Sequence, residues 1–323
     1  MRATDMGDIV QQATAFAPAS IGNVAVGFDM LGLAIADAGD RVTARRTSGN
    51  GVTIAAVYGL DGRPHAELSS SARDNTAGVA AIALWEAHGD GGGIELQVYK
   101  GVPLQSGMGS SAASAVAGAV AVNALLRKPL ANEQLLEYAL EGEKIASGGL
   151  HADNVAPSLF GGLVLCPPVL LPTVVPLAVP DGVSSVVLHP DLQVNTADSR
   201  RSLARGYSMD QWLTQQGYLA GFLAACMTND RELLRRCLLD VIIEPQRSAA
   251  VPCFNAVRNA AMQADAYGCS LSGSGPSIFA LCADDAAPAI AAAMTAACSS
   301  QGYGCETWIS PMTAPGARIE TQE

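Results

Sequence analysis

The segment Pro103–Ser114 has the composition of an anion-binding loop. Its glycines, Gly107 and Gly109, lack the Cβ atoms that would keep a backbone away from a ligand, and a helix-like run of Ala, Val and Ser follows. The unpaired N–H groups at the start of a helix favour an anion such as a phosphate. The chain has no GxxxxGK(S/T) sequence, so this is not a Walker loop. Taken alone, such a segment is more often a tight turn before a packing helix.

Three further segments carry residues that bind or react. Pro18–Asp29 and Ser270–Ser277 are small-residue loops, and each alone is most economically a turn with special backbone angles. Glu143–Asn154 places a carboxylate near the end of a predicted helix, and a histidine, an aspartate and an asparagine on a glycine-containing loop after it. Such residues on a loop are often functional, whereas the alternative interpretation is a solvated helix face and a turn.

Hydrophobic periodicity predicts the elements that must position these loops. The predicted strands are Thr14–Ala19, Arg41–Arg46, Val52–Val57, Ile94–Tyr99, Ser184–His189, Cys269–Ser272, Ser277–Cys282 and Cys305–Ile309. The predicted helices are Asn75–His88, Ser110–Leu126, Asn132–Ser147 (ended by Gly148 and Gly149), Met209–Met227, Arg231–Val241, Val251–Gln263 and Ala286–Ser299. Strands and helices mix without a regular βαβ rhythm, which favours the α+β class.

Composition excludes several classes of protein. The net charge of −11 makes the chain a poor general binder of nucleic acid or of anionic membranes. The uncharged segment Leu163–Pro180 contains five prolines, so we expect a strand, a turn and an extended linker instead of a membrane helix. The eight cysteines form no CxxC pair, and residues 1–12 lack the apolar region of a signal peptide. These features favour a reducing cytoplasm.

Taken together and in this order, the four segments resemble the GHMP kinases over nearly the whole chain. Pro103–Ser114 resembles the phosphate loop of that family, and Ser272–Ser277 resembles its C-terminal glycine motif. Pro18–Gly32 and His151–Gly162 resemble the forms found in members that act on homoserine. Two departures stand out: Ala25-Val26 replaces a Gly-Pro pair, and Met108 replaces a leucine of similar volume.

The resemblance implies an α+β fold with two lobes and ATP in the cleft between them. An N-terminal ATP-binding domain would span residues 13–166, and a C-terminal α/β sandwich domain would span residues 167–323. Ser111 and Glu143 would bind Mg²⁺, and Asn75 would contact adenine. The residues implied to contact ATP are Asn75, Pro103, Leu104, Gln105, Ser106, Gly107, Met108, Gly109, Ser110, Ser111, Ala112, Ala113, Gly273, Ser274 and Gly275.

The resemblance also implies a small amino acid with a hydroxyl group, L-homoserine, as the phosphoryl acceptor, and O-phospho-L-homoserine, a precursor of threonine, as the product. Asp29 would hold the ammonium group, and Arg200 and Arg247 would hold the carboxylate, because a guanidinium fork suits that group. His151 would bond the substrate or its loop. The residues implied to bind the acceptor are Asn23, Asp29, His151, Thr196, Arg200 and Arg247.

Proton removal has two interpretations at this stage. Asp153 matches an aspartate that is the base in some GHMP kinases. In the other interpretation Asn154 faces the hydroxyl, and Mg²⁺ with the γ-phosphate makes a side-chain base unnecessary. The second is favoured, with Asp153 orienting its loop. The residues implied to be catalytic are Glu143, Asp153, Asn154 and Arg200.

Two other functions compete with this one. The first is a GHMP enzyme that phosphorylates a different small alcohol, although the two arginines argue against a neutral sugar. The second is a GHMP-fold protein that senses ATP and a metabolite without turnover. Retention of Ser111, Glu143 and Asp153 argues against a sensor. The family further implies a homodimer, and we expect neither a nucleic-acid nor a membrane partner.

Overall fold

The computed structural model describes residues 10–147, 151–204 and 206–323. Within these ranges the chain forms two β-sheets with helices packed against them. The elements of the first half are β1 (Gln12–Gly22), β2 (Leu31–Thr47), β3 (Gly51–Tyr58), α1 (Thr76–His88), β4 (Gly93–Tyr99), α2 (Ser110–Asn123), α3 (Asn132–Ser147), α4 (Ala152–Phe160), β5 (Leu163–Leu165) and β6 (Val175–Pro176). Those of the second half are β7 (Val183–Pro190), α5 (Thr196–Arg201), α6 (Met209–Thr228), α7 (Arg231–Cys237), α8 (Glu244–Arg247), α9 (Phe254–Gln263), β8 (Gly268–Leu271), β9 (Ile278–Ala283), α10 (Ala287–Ser300), β10 (Cys305–Pro311) and β11 (Arg318–Gln322).

The first sheet has the strand order β11-β1-β2-β4-β3, and β5 and β6 extend it beside β2. Only β3 and β4 among these described strands run parallel. Helices α1, α2 and α3 cover one face of the sheet through an apolar core rich in alanine. A Cβ on Gly118 of α2 would lie 2.6 Å from the carbonyl oxygen of Ala77 in α1. Small residues therefore let α2 pack tightly enough to be buried along almost its whole length.

The second sheet has the order β10-β7-β9-β8 and is antiparallel throughout. Alternate residues of its strands point to opposite faces, as strand geometry requires. Ile278 and Ala280 of β9 pack with α9 and α10, whereas Phe279 and Leu281 pack with α6 and α7. Helices therefore cover both faces, which is the sandwich predicted for the C-terminal half.

One apolar cluster joins the two sheets. It brings Ile21, Leu33 and Met108 of the first half together with Val187 and Phe279 of the second. The predicted α+β class with two lobes is confirmed. The predicted domain boundary between residues 166 and 167 stays a prediction. Strands β6 and β11 come after this boundary in the chain, and both pair within the first sheet.

Most predicted elements agree with the structure to within about three residues at each end, but strand β2 begins at Leu31 instead of Arg41, and two further predictions also differ. Helix α7 ends at Cys237 instead of Val241, because the Asp240 carboxylate accepts the backbone N–H groups of Ile242, Ile243 and Glu244 and forms a separate turn. The segment from His151 to Asn154 is not a loop: His151 is the N-cap of α4, and the other residues form its first turn. The predicted helix end at Gly148 and Gly149 lies outside the described residues.

None of the helices in the described ranges combines a bilayer-spanning length with a sufficiently apolar sequence.

Candidate active site

A cavity of about 440 Å³ opens where the loops of the two halves meet. Helices α2, α3, α4 and α5 and the turn between β1 and β2 all contribute to its wall. The predicted site residues that line it are Asn23, Asp29, Asn75, Leu104, Gln105, Ser106, Gly107, Gly109, Ser110, Ser111, Glu143, His151, Asp153, Asn154, Thr196, Arg200, Arg247, Gly273 and Ser274. Segments that are far apart in the sequence therefore share one cavity.

Some residues predicted to contact ATP do not line this cavity. They are Pro103, Met108, Ala112, Ala113 and Gly275. Met108 is fully buried in the cluster that joins the two sheets, and both alanines are buried in the core. The backbone N–H of Ala113 already donates to the Gly109 carbonyl at 2.9 Å, as helix geometry requires. Core packing explains why the side chains of Met108, Ala112 and Ala113 do not face the cavity.

The C-terminal glycine motif holds the phosphate loop in place. The Ser272 hydroxyl donates to the Gly107 carbonyl at 2.7 Å, and the Ser277 N–H donates to the Ser106 carbonyl at 3.0 Å. Gly107 has a φ of +76°, and a Cβ there would lie 2.5 Å from the Ser272 carbonyl oxygen. Only glycine suits both the left-handed backbone and this close contact.

The start of α2 is suited to a phosphate. Gly109 is its N-cap with a φ of +67°, provides no side-chain cap, and is followed by a first turn without acidic residues. The helix therefore presents N–H groups without a competing carboxylate, next to the cavity that Ser110 and Ser111 line. This terminus fits the phosphates of ATP.

A buried ion pair that the sequence analysis missed fixes both ends of the phosphate loop. The Lys100 ammonium, whose side chain is 4% exposed, bonds to the Asp40 carboxylate, to the Ser110 carbonyl at 2.9 Å and to the Ser114 hydroxyl at 2.8 Å. Asp40 also accepts the N–H groups of Gly101 and Val102. In the sequence, Lys100 is a single lysine between a predicted strand and a glycine loop, and this pattern is equally typical of a surface lysine.

Asn75 has a structural task. Its side-chain oxygen accepts the Ala77 N–H at 3.0 Å and caps α1, and its amide nitrogen donates to the Ser69 carbonyl at 3.1 Å. The residue also lines the cavity. The contact with adenine therefore stays a prediction.

Ser111 and Glu143 offer oxygen atoms of the kind that Mg²⁺ prefers. Both line the cavity, Ser111 from the first turn of α2 and Glu143 from a buried position on α3. A hydroxyl and a carboxylate are sufficient protein ligands for an ion that keeps several waters. The donor set therefore fits Mg²⁺.

A cluster of charged residues forms another part of the wall. Arg200 makes a two-pronged ion pair with Asp29, at 2.6 and 2.9 Å. The His151 ring nitrogen lies 3.8 Å from Asp29 and 3.4 Å from Arg200. Burial and the positive charge of Arg200 lower the pKa of His151, although Asp29 opposes this shift, and the neutral form of the ring is thereby favoured.

Arg247 is a buried cation with unused hydrogen-bonding capacity. It is 5% exposed, and its Nη1 donates to the Gly273 carbonyl at 2.9 Å. Its Nε is buried without a hydrogen-bond partner among the described residues. Burial and the charge of Arg200 lower the pKa of Arg247 from its usual value. A guanidinium in this condition is suited to an incoming anion.

Asp153 and Asn154 lie in the first turn of α4. Burial, followed by the charge of Asp29, raises the pKa of Asp153 to about 7, while Arg200 opposes the rise. The Asn154 side-chain oxygen accepts the Ser20 hydroxyl at 3.0 Å. Asp153 can therefore change its charge near neutral pH, whereas part of Asn154 is already held by β1.

The turn between β1 and β2 has an unusual backbone. Asn23, Val24 and Ala25 have φ values of +68°, +44° and +58°, and Asp29 has +57°. Such angles are costly for residues with a Cβ and tend to persist at functional sites. Ala25, which stands where the GHMP kinases usually have glycine, thus keeps the left-handed backbone that glycine would adopt without strain.

Comparisons with known proteins agree with this geometry. Residues 75–162 match the family described as "GHMP kinases N terminal domain", and residues 222–300 match "GHMP kinases C terminal". The chain is 45% identical over 322 residues to a protein of Xylella fastidiosa (strain M12) named homoserine kinase, covering 98% of this chain and 97% of that protein. A protein of Chlorobium phaeobacteroides with the same name is 38% identical, covering 96% and 100% of the two chains.

A solved structure gives the same result. The crystal structure of homoserine kinase from Cytophaga hutchinsonii superposes with a TM-score of 0.91 at 39% identity, covering 99% of each chain.

Proposed function

Because this chain belongs to the GHMP kinase family, we propose that it is a homoserine kinase, which transfers the γ-phosphate of ATP to the side-chain hydroxyl of L-homoserine. The observation that carries this proposal is the pairing of two sites in one cavity. A helix terminus suited to an anion and a group of two arginines with an aspartate both line it. Such a cavity suits a nucleotide beside a small zwitterion.

The amino-acid end of the substrate would lie in the charged cluster. Asp29 binds the ammonium group, and Arg200 and Arg247 bind the carboxylate with their planar N–H forks. The Asp29–Arg200 pair already places opposite charges 2.6 Å apart, so each can exchange part of that contact for a group of the substrate. A neutral sugar would leave these charges without such partners, which is costly inside a protein.

The nucleotide end would lie at α2. N–H groups of the phosphate loop and of the first turn of α2 bind the phosphates, and Lys100 with Asp40 keeps both ends of that loop fixed. Ser111 and Glu143 would hold Mg²⁺. When bound, Mg²⁺ supplies positive charge against the phosphates.

Asp153 is the group that we propose accepts the proton of the hydroxyl. Its pKa of about 7 leaves a substantial ionised fraction at neutral pH, and a base works best with a pKa near the working pH. Asn154, fixed by Ser20, would position the hydroxyl. This ordering reverses the interpretation that the sequence favoured, because burial of Asp153 was not visible there.

The function is tested by measuring ADP release with Mg-ATP over a panel of small alcohols. We expect L-homoserine to exceed L-serine, mevalonate and galactose by a wide margin. A faster reaction with mevalonate or galactose would contradict the proposal. Binding of L-homoserine without any ADP release would favour the sensor instead.

The metal site is tested by Glu143→Gln, with Glu141→Gln as control, because Glu141 is a half-exposed residue of the same helix paired with Lys144. Loss of metal-dependent charge stabilisation should lower kcat by about a hundredfold in the first variant only. Titration with Mg²⁺ should show a matching rise in the concentration needed for half-maximal rate. Equal behaviour of the two variants would remove Glu143 from the site. The homodimer and the cytoplasmic location that the sequence suggested stay predictions.

A further inference from the structure

We propose that Phe28 is a positioning residue that holds Arg200 and Arg247 together as a receptor for the substrate carboxylate. The inference rests on the proposed function and adds to it a residue that does not line the cavity. Phe28 precedes Asp29 in the left-handed turn between β1 and β2. It was part of a predicted loop but was not among the predicted site residues.

The Phe28 ring contacts both guanidinium groups. The Cζ atom of Arg200 lies 5.3 Å from the ring centroid, and that of Arg247 lies 5.1 Å from it. Both distances are within the range in which the negative face of an aromatic ring attracts a cation. One partly buried ring thus contacts the two cations that the proposed function assigns to a single carboxylate.

These two cations need such a contact before the substrate arrives. They oppose each other's charge, and burial disfavours the charge of Arg247 further. Arg200 has Asp29 as a counter-ion. Arg247 contacts the Gly273 carbonyl and the Phe28 ring, and the charges of Asp29, Asp153 and Asp240 also favour its charged form. Among the described residues its Nε has no hydrogen-bond partner.

An aromatic ring has an advantage over a second carboxylate at this position. The ring face stabilises a guanidinium electrostatically without accepting its in-plane N–H groups. The remaining N–H donors of Arg247 therefore stay available for the oxygens of the substrate, whereas Arg200 shares its donors with Asp29. A carboxylate in place of Phe28 would occupy those donors and compete with the ligand.

A packing role would place the same ring at the same position, so the test must change charge distribution and leave shape nearly constant. We would incorporate mono-, di- and trifluorophenylalanine at position 28, because fluorine withdraws electron density from the ring face. We expect KM for L-homoserine to rise stepwise, to about tenfold with the trifluoro ring, while kcat and KM for ATP stay within about twofold. Phe28→Trp, which keeps a strong ring face, should retain a KM closer to that of the parent than Phe28→Leu.

Phe16 provides a matched control. Its ring also contacts two guanidiniums, with Arg41 at 4.9 Å and Arg318 at 4.3 Å, but it lies on the first sheet away from the cavity. The same fluorinated series at Phe16 should leave KM for L-homoserine unchanged. L-Homoserinol, which lacks the carboxylate, serves as a second control as substrate or competitive inhibitor, and its affinity should not follow the series at Phe28.

The outcomes separate the two proposals. A flat series at Phe28 in a protein that phosphorylates L-homoserine would overturn the role of Phe28 and leave the function intact. An equal loss of affinity for L-homoserinol across the fluorinated series would also overturn the role of Phe28, because the effect would then not depend on the carboxylate. An unmodified protein that does not use L-homoserine would overturn both proposals.

Discussion

The two charged clusters beside the cavity differ in how completely the hydrogen-bond donors of their buried cations are paired. At the phosphate loop, the three N–H donors of the Lys100 ammonium are taken by Asp40, Ser110 and Ser114. At the other side, Arg247 keeps a buried Nε without a hydrogen-bond partner in the described part of the chain. Both are buried cations, with 7% and 5% of the whole residue exposed, so burial does not distinguish them.

The difference indicates which buried charges serve the fold and which serve a ligand. A buried charge is costly unless it is paired and hydrogen-bonded within the protein. The Lys100 cluster meets that condition without any ligand and thereby fixes the backbone around the phosphates. The Arg200–Arg247 cluster meets it only in part, and an anionic group would complete it. Removal of one charge should therefore affect stability at the first cluster and substrate affinity at the second.

The largest effect is expected at the Lys100 cluster. Lys100→Met leaves Asp40 buried without its counter-ion, and we expect the free energy of unfolding to fall by about 3–5 kcal/mol. Chemical denaturation followed by circular dichroism measures it. The double variant Asp40→Asn with Lys100→Met should lose less than the sum of the single losses, because neither charge is then left alone.

Arg45 provides the control for this pair. It forms an exposed ion pair with Glu95 that links β2 to β4, so Arg45→Met should cost less than about 1 kcal/mol. Equal losses in the free energy of unfolding at Lys100 and Arg45 would show that the buried pair stabilises the fold no more than an exposed pair. The Lys100 cluster would then not be a structural element distinct from the Arg200–Arg247 cluster.

The next effect concerns Asp153, a buried carboxylate whose pKa responds to the charges of the Arg200–Arg247 cluster. Asp153→Asn should lower kcat by about 10²–10⁴-fold if the carboxylate accepts the proton. In the parent, kcat/KM should rise with pH and level off above about 7, since only the ionised form is a base. The variant should lack that rise. A mild loss in Asp153→Asn beside a severe loss in Asn154→Ala would restore the orienting role for Asp153.

The same pKa predicts a stability effect with a defined sign. The folded state holds the Asp153 proton more tightly than the unfolded state, whose carboxyl titrates near its ordinary pKa of 3.8. The free energy of unfolding should therefore fall as pH rises from about 4 to about 7. Asp153→Asn should remove that part of the slope, which equilibrium unfolding over the same pH range measures.

Arg247→Met tests the complementary expectation, that a charge of the Arg200–Arg247 cluster affects substrate binding more than stability. We expect KM for L-homoserine to rise by about a hundredfold, because the carboxylate loses a buried charged partner. The free energy of unfolding should change by less than about 1 kcal/mol. The hydrogen bond to Gly273, the contact with the Phe28 ring and the attraction of nearby carboxylates are lost, but the burial cost of the charge and the repulsion with Arg200 are relieved. A stability loss as large as that of Lys100→Met would mean that Arg247 is as structural as Lys100.

The smallest effect is expected in the turn that carries Asp29. Ala25 has a φ of +58°, so Ala25→Gly should relieve strain and raise the free energy of unfolding by about 1 kcal/mol. Ala44→Gly, at a buried and regularly paired position of β2, is the matched control and should lower it, because glycine weakens an extended strand. A loss at both positions would show that the turn is not strained.

The sequence by itself determined the local features of this protein. The apolar period placed α1 and α3 within a residue of their observed bounds, and the glycines of Pro103–Ser114 marked the loop before α2. These signals are local, because periodicity and positive φ depend on a few neighbouring residues. The resemblance of four short segments to one family then supplied the candidate residues.

Only the tertiary structure decided which charges meet and which are left open. Asp40 reaches Lys100, 60 positions away, because β2 pairs with β4 in a register that sets Arg41 opposite Tyr99. Arg200 and Arg247 meet at Phe28 because α5, α8 and the β1–β2 turn converge at the joint between the sheets. Burial, which raises the pKa of Asp153 and deprives Arg247 of water, is likewise a property of the packed chain. Long-range register and desolvation leave no periodic trace in a sequence, so the structure had to show them.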